Sequence, residues 1–110
     1  KMNKAKRPVE IPSKTIKVNV GCGNIYVTLG YVDNKPFEVF AALGHSGGCA
    51  YAQLEALTRC ITAGLRYGVP VEEYIDQLKE IKCPSPGHSP DGVIDSCADA
   101  IAKVLRKYTI

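Results

Sequence analysis

Hydrophobic and polar residues alternate with a period of two in the first half of the chain, then with a period between three and four. Thr15-Ile16-Lys17-Val18-Asn19-Val20 alternates and is rich in β-branched residues, which predicts a strand. Gly21-Cys22-Gly23-Asn24 reads as a turn, Ile25 to Val32 as a second strand, and Asp33-Asn34-Lys35-Pro36 as a turn into a third strand, Phe37 to Leu43. Short turns between successive strands imply an antiparallel meander. From Cys49 to Tyr67 the apolar positions become Ala50, Leu54, Leu57, Ile61 and Leu65, the stripe of a long helix that should cover one face of the sheet. Its other side shows Glu55, Arg59, Thr62 and Arg66, with Glu55 and Arg59 spaced as a surface ion pair.

Gly68 stands where a helix ends, and Val69-Pro70 opens a shorter helix, Val71 to Ile81, with Tyr74, Ile75 and Leu78 inward. The stretch Lys82 to Gly92 holds three prolines and is expected to lack regular structure, although Val93-Ile94 could pair briefly as a strand. Ser96 is a good N-cap, with Asp99 three residues on, for a last helix running to about Tyr108. Ile101, Val104 and Leu105 should face inward there, with Lys103, Arg106 and Lys107 near the favourable C-terminal end. The expected class is α+β: a small antiparallel three-stranded meander covered by a long helix, a short helix and a C-terminal helix. Such a sheet leaves apolar surface open, notably Tyr26, Tyr31, Phe40 and Tyr51, so a homo-oligomer is expected.

Length and composition add bounds. The 110 residues, 45% hydrophobic and 23% charged, make one ordinary globular domain. No apolar stretch approaches the ~20 residues that cross a bilayer, and no signal-peptide core is visible, so a cytoplasmic protein without membrane attachment is expected. The net charge of +3 is concentrated: Lys1, Lys4, Lys6, Arg7, Lys14 and Lys17 face only Glu10 in the first seventeen residues. Residues 1–13 therefore read as a flexible basic lead-in to a single domain at 14–110, and a basic tail on a slightly acidic body argues against general nucleic-acid binding.

Candidate chemistry gathers in two loops. Gly44-His45-Ser46-Gly47-Gly48 joins a strand to a helix, where converging N–H groups suit a phosphate or carboxylate; equally, the glycines could serve only a tight turn. The loop matches neither the dinucleotide fingerprint nor the P-loop. Arg59 and Arg66 on the following helix, His88 in the proline-rich loop and Arg106 near the chain's end are the other groups suited to a nucleotide-type ligand. His45 and His88 lack an evident nucleophile and acid partner, so no enzyme is expected. Five cysteines without a C-x-x-C pair leave two readings open for Cys22, Cys49, Cys83 and Cys97, a structural zinc site or buried thiols. Cys60, inside the long helix, reads as core filler.

Several segments in order resemble one family. Gly21-Cys22-Gly23-Asn24-Ile25-Tyr26-Val27-Thr28, Pro36-Phe37-Glu38-Val39-Phe40, Gly47-Gly48-Cys49-Ala50, Gln53-Leu54-Glu55-Ala56, Gly68-Val69-Pro70, Gln77-Leu78-Lys79, Lys82-Cys83-Pro84 and Ser96-Cys97-Ala98-Asp99-Ala100-Ile101-Ala102 are similar to the TSCPD domain. That module occurs at the C-terminal end of adenosylcobalamin-dependent ribonucleotide reductases and as short free-standing proteins, some of them from phages. The resemblance spans about Lys14 to Leu105. It departs at the name-giving motif, which reads Asp95-Ser96-Cys97-Ala98-Asp99, at Cys60, and in Gly87-His88-Ser89-Pro90. The resemblance implies a non-catalytic domain, since the reductase barrel and its cysteine triad have no counterpart here. Its four recurring cysteines fall on Cys22, Cys49, Cys83 and Cys97, which favours metal. Its company with a nucleotide enzyme favours a nucleotide-type small molecule, such as an immune signal of the cyclic-nucleotide or ADP-ribose type sequestered by a phage sponge. The alternative it implies is a structural or regulatory accessory, with zinc as an optional staple, whose partner is a ribonucleotide reductase subunit.

Overall fold

The computed structural model describes residues 3–21, 23–44, 48–90 and 92–109. Strands β1 (Ser13–Val20), β2 (Gly23–Val32) and β3 (Lys35–Leu43) form an antiparallel sheet in that order. Helix α1 (Gly48–Arg66) follows, then α2 (Val71–Leu78), a hairpin of β4 (Gly87–Ser89) and β5 (Gly92–Ile94), and α3 (Cys97–Tyr108). The expected α+β meander and three helices are present. Asp33 and Asn34 take φ of 53° and 64°, the left-handed pair that lets a two-residue turn match strand twist.

Alternation sorts the sheet's two faces. Ile25, Val27 and Leu29 are fully buried and join Ala100, Ile101, Val104 and Leu105 of α3 in the core. Tyr31 shares their parity, so it is buried rather than open, and its hydroxyl donates to the Tyr108 carbonyl at 2.8 Å. On the opposite face Tyr26 and Phe40 remain exposed, as does Tyr51 of α1, in line with their expected exposure.

Helix α1 packs chiefly along β3. Thr62 turns toward that strand instead of solvent: its hydroxyl accepts from the Val39 N–H at 2.9 Å and donates to the Val39 carbonyl at 3.0 Å. The edge of β3 is thereby capped at Val39 by a side chain, one way to blunt an edge strand. Cys60 is exposed, not core, because the buried stripe of α1 is Leu54, Thr58 and Ile61 and position 60 falls well away from it.

Helix α2 stops at Leu78, short of Ile81. Lys79 is extended at ψ 143°, Glu80 has φ 62°, and the Glu80 N–H is taken by the Asp99 carboxylate at 2.8 Å. The proline-rich stretch does form a hairpin, Gly87 pairing with Ile94 and His88 with Val93. Its prolines escape the ladder: Pro84 and Pro86 precede β4, and Pro90 sits in the turn. Gly87 permits the hairpin to lie on the end of β1, since a Cβ there would come within 2.5 Å of the Asn19 carbonyl oxygen and Val20 Cα. The basic lead-in also has fixed contacts: the Ala5 N–H donates to the Arg66 carbonyl at 2.8 Å, and Arg7 forks onto buried Glu38 at 2.8 and 3.1 Å.

Candidate functional site

A cleft of about 720 Å³ opens between β1, the β4–β5 hairpin and α3, within the range of small-molecule sites. β1 lines it along its length with Ile16, Lys17, Val18 and Asn19; Ile94, Ala100 and Val104 complete an apolar interior. Lys17 comes from the strand, His88 from the hairpin, and Lys103, Arg106 and Lys107 from successive turns of α3. Among the described residues no Asp or Glu lines the cleft. Its field therefore favours an anion.

Behind the basic wall lies Asp99, with no solvent exposure. One carboxylate oxygen accepts from the Glu80 N–H and the other from the Asp95 N–H, each at 2.8 Å, and the second also meets the Lys103 ammonium. Burial by itself would raise the pKa of this carboxyl. The Lys103 contact, followed by the two backbone donors, outweighs that penalty and holds the group below its ordinary value. Ser96 caps α3, its hydroxyl accepting from the Asp99 N–H at 3.1 Å, as the capping pattern implies. The reciprocal half of that pattern is redirected: the Asp99 side chain ties the end of α2 and the start of α3 together and fixes one end of Lys103.

Of the expected ligand residues, the structure brings His88 and Arg106 to this cleft. Gly44 and Gly48 lie away from it at the β3–α1 junction, Gly48 with φ 72°; His45, Ser46 and Gly47 lie outside the described residues. Arg59 pairs with Glu55 at 2.9 Å beside a separate hollow of about 370 Å³ that includes Tyr26, Phe40 and Tyr51. Arg66 bonds the Ala5 carbonyl through Nε and Nη2 at 3.1 and 3.0 Å, and its guanidinium lies 5.5 Å from the Phe37 ring centre. The expected set is thus split between the cleft, the α1 surface and the lead-in.

The expected metal ligands come from different elements. Cys49 is exposed at the start of α1, half-buried Cys83 donates its N–H to the Asp95 carbonyl at 3.0 Å, Cys97 begins α3, and Cys22 lies outside the described residues. Among the described residues no group of three or more His, Cys, Asp or Glu side chains is placed to hold a metal ion.

Sequence reasoning missed Lys17, Asn19 and Asn24 as cleft residues. Lys17 was absorbed into the basic tail, and only the landing of the hairpin on Asn19, whose side-chain oxygen accepts from the His88 N–H at 3.4 Å, reveals its role. Lys103 had a signal, its i,i+4 spacing from Asp99.

The chain is 24% identical over 100 residues to a vitamin B12-dependent ribonucleotide reductase of Streptomyces clavuligerus, which covers 90% of this chain and 10% of that protein. It is 24% identical over 100 residues to one of Streptantibioticus cattleyicolor, covering 17% of that protein, and 31% identical over 74 residues to one of Agrobacterium fabrum, covering 6%. The chain spans about a tenth of the length of the first of these relatives. No solved structure gives a significant match. Among the described residues no helix is long and apolar enough to cross a membrane. The model of the TSCPD domain matches residues 2–109, nearly the whole chain including the lead-in, and this protein belongs to the TSCPD domain family.

Proposed function

We propose that this domain is a non-catalytic binder of a nucleotide-type anion, seated in the cleft between β1, the hairpin and α3. The observation that carries this reading is the cleft itself, an apolar interior of ligand size with cations from three elements and no carboxylate among its described lining. An apolar surface suits a base and sugar, and the α3 cations suit phosphate. No carboxylate accompanies His88 and Ser89 in the described lining to complete a catalytic set, so the ligand leaves unchanged. A tight binder of this kind would act by sequestration, as a sponge does. The test is calorimetric titration with ADP and with pyrophosphate, followed by mass spectrometry of the released ligand. Micromolar binding that falls about tenfold in Arg106→Ala, with ADP recovered intact, is the expected result. No binding of either probe, or conversion of ADP, would overturn it.

A second reading is favoured by the relatives. A segment equivalent to about a tenth of a vitamin B12-dependent ribonucleotide reductase suits an accessory domain that acts by contacting a reductase subunit. Co-purification with a purified reductase subunit, and its absence with an unrelated enzyme, distinguishes this role from ligand binding alone.

A further inference from the structure

We propose that the open edge of β1 accepts an acidic, extended peptide segment of a protein partner as an additional strand. This goes beyond the nucleotide reading and rests on a different observation, the way β1 lines the cleft. Side chains in a strand point alternately to opposite faces, so a cavity confined to one face touches every second residue. Here Ile16, Lys17, Val18 and Asn19 line the cleft consecutively. The cleft therefore opens onto the strand's edge, where alternate residues present backbone N–H and C=O groups outward.

That edge is available. β1 ends the sheet order; the hairpin covers its Asn19 end, and among the described residues no backbone-to-backbone hydrogen bond joins Ile16–Val18 to anything except β2. The contrast with β3 is informative, because Thr62 occupies the Val39 backbone groups there. Opposite β1 stands α3, so edge strand and helix make the two walls of a groove, the arrangement that receives an added strand in known peptide-binding modes. Apolar side chains of the incoming segment would drop toward Val18, Ile94 and Val104, while its alternate residues reach outward.

Charge selects the occupant. Lys17 and Arg106 flank the groove, and no described carboxylate lines it. A second copy of β1 would bring its own Lys14 and Lys17 against this edge and be repelled, whereas an acidic segment is attracted. A peptide and a nucleotide occupying the same cleft exclude one another.

The probe is a fluorescein-labelled octapeptide alternating valine and glutamate, titrated by anisotropy into the full chain at physiological salt. Binding is expected, about tenfold weaker for Arg106→Glu. The same peptide N-methylated at every residue keeps its side chains but loses its donors, and it should bind at least about tenfold more weakly. Amide exchange of the alternate β1 residues that face the open edge should slow in the complex. Equal binding of the N-methylated peptide, equal binding of a valine-lysine octapeptide, protection confined to other strands, or no binding of the valine-glutamate peptide would each overturn the proposal.

Discussion

Replacing Asp99 by asparagine tests the side chain on which the end of α2, the start of α3 and Lys103 all converge. The amide keeps the volume and one acceptor oxygen, so one of the Glu80 and Asp95 N–H groups retains its partner. The other meets an amide nitrogen, and the Lys103 ammonium loses its anion. A hydrogen bond to a charged group contributes about 1.5–3 kcal/mol, and an orphaned buried donor costs about 1–3 kcal/mol. Lys103 is 31% exposed and can turn to water, which discounts its share. A loss of about 3 kcal/mol follows from these ranges, a large part of the ~5–15 kcal/mol expected of a domain this size.

Urea unfolding followed by circular dichroism measures it. With a slope of about 1.5 kcal/mol per molar, the midpoint should fall by about 2 M with the slope unchanged. The pH dependence supplies an independent check. The folded carboxyl titrates below its unfolded value of about 3.9, so its stabilisation is fully present above that pH and is lost as pH falls through the folded value. The gap between wild type and Asp99→Asn should therefore narrow below about pH 4. A loss under about 0.5 kcal/mol, or a gap that stays constant down to pH 2, would refute the assignment of Asp99 as an ionised, fully bonded group.

Other consequences are simpler to check. Thr62→Val preserves shape but strips the Val39 N–H and carbonyl of their partner, and should cost about 1–2 kcal/mol in the same assay. Cys60, exposed on α1, should be alkylated by N-ethylmaleimide without unfolding at close to the rate of an unstructured thiol peptide, as peptide mapping would show. Gly87→Ala should weaken the seating of the hairpin on β1, lowering the melting temperature and reducing ADP affinity together, because the added Cβ meets backbone atoms that cannot swing aside.

The legible parts of this fold are those set by local periodicity. The three strands, the long helix and the Ser96 cap all follow from patterns within a dozen residues. The misread positions depend on what lies opposite in space. Thr62 and Cys60 occupy α1 positions whose burial is decided by where the helix leans against β3. The premature end of α2 comes from a carboxylate nineteen residues later in the chain. The hairpin is hidden by its prolines, each of which happens to fall outside a pairing position. Likewise His88 and Arg106 could be named from residue type and the Glu55–Arg59 pair from its spacing, but the contact of Arg66 with Ala5 spans sixty-one residues and shows only in the fold.

These distant dependencies meet at the cleft. Its apolar lining belongs to the core that α3, β1 and the hairpin share: Ile94, Ala100 and Val104 are buried core residues, with Ile16 and Val18 packed against them. Its basic wall is different: Lys103 is drawn toward Asp99, while Arg106 lines the cleft one helical turn further on. The anion-attracting field should therefore arise more from Arg106 than from Lys103, whose charge is already matched. Lys103→Met should then lower stability more than ADP affinity, and Arg106→Ala the reverse. If both substitutions weakened ADP binding equally while leaving stability unchanged, Asp99 would not be holding Lys103 in the folded protein, and the division of labour drawn along α3 would fail.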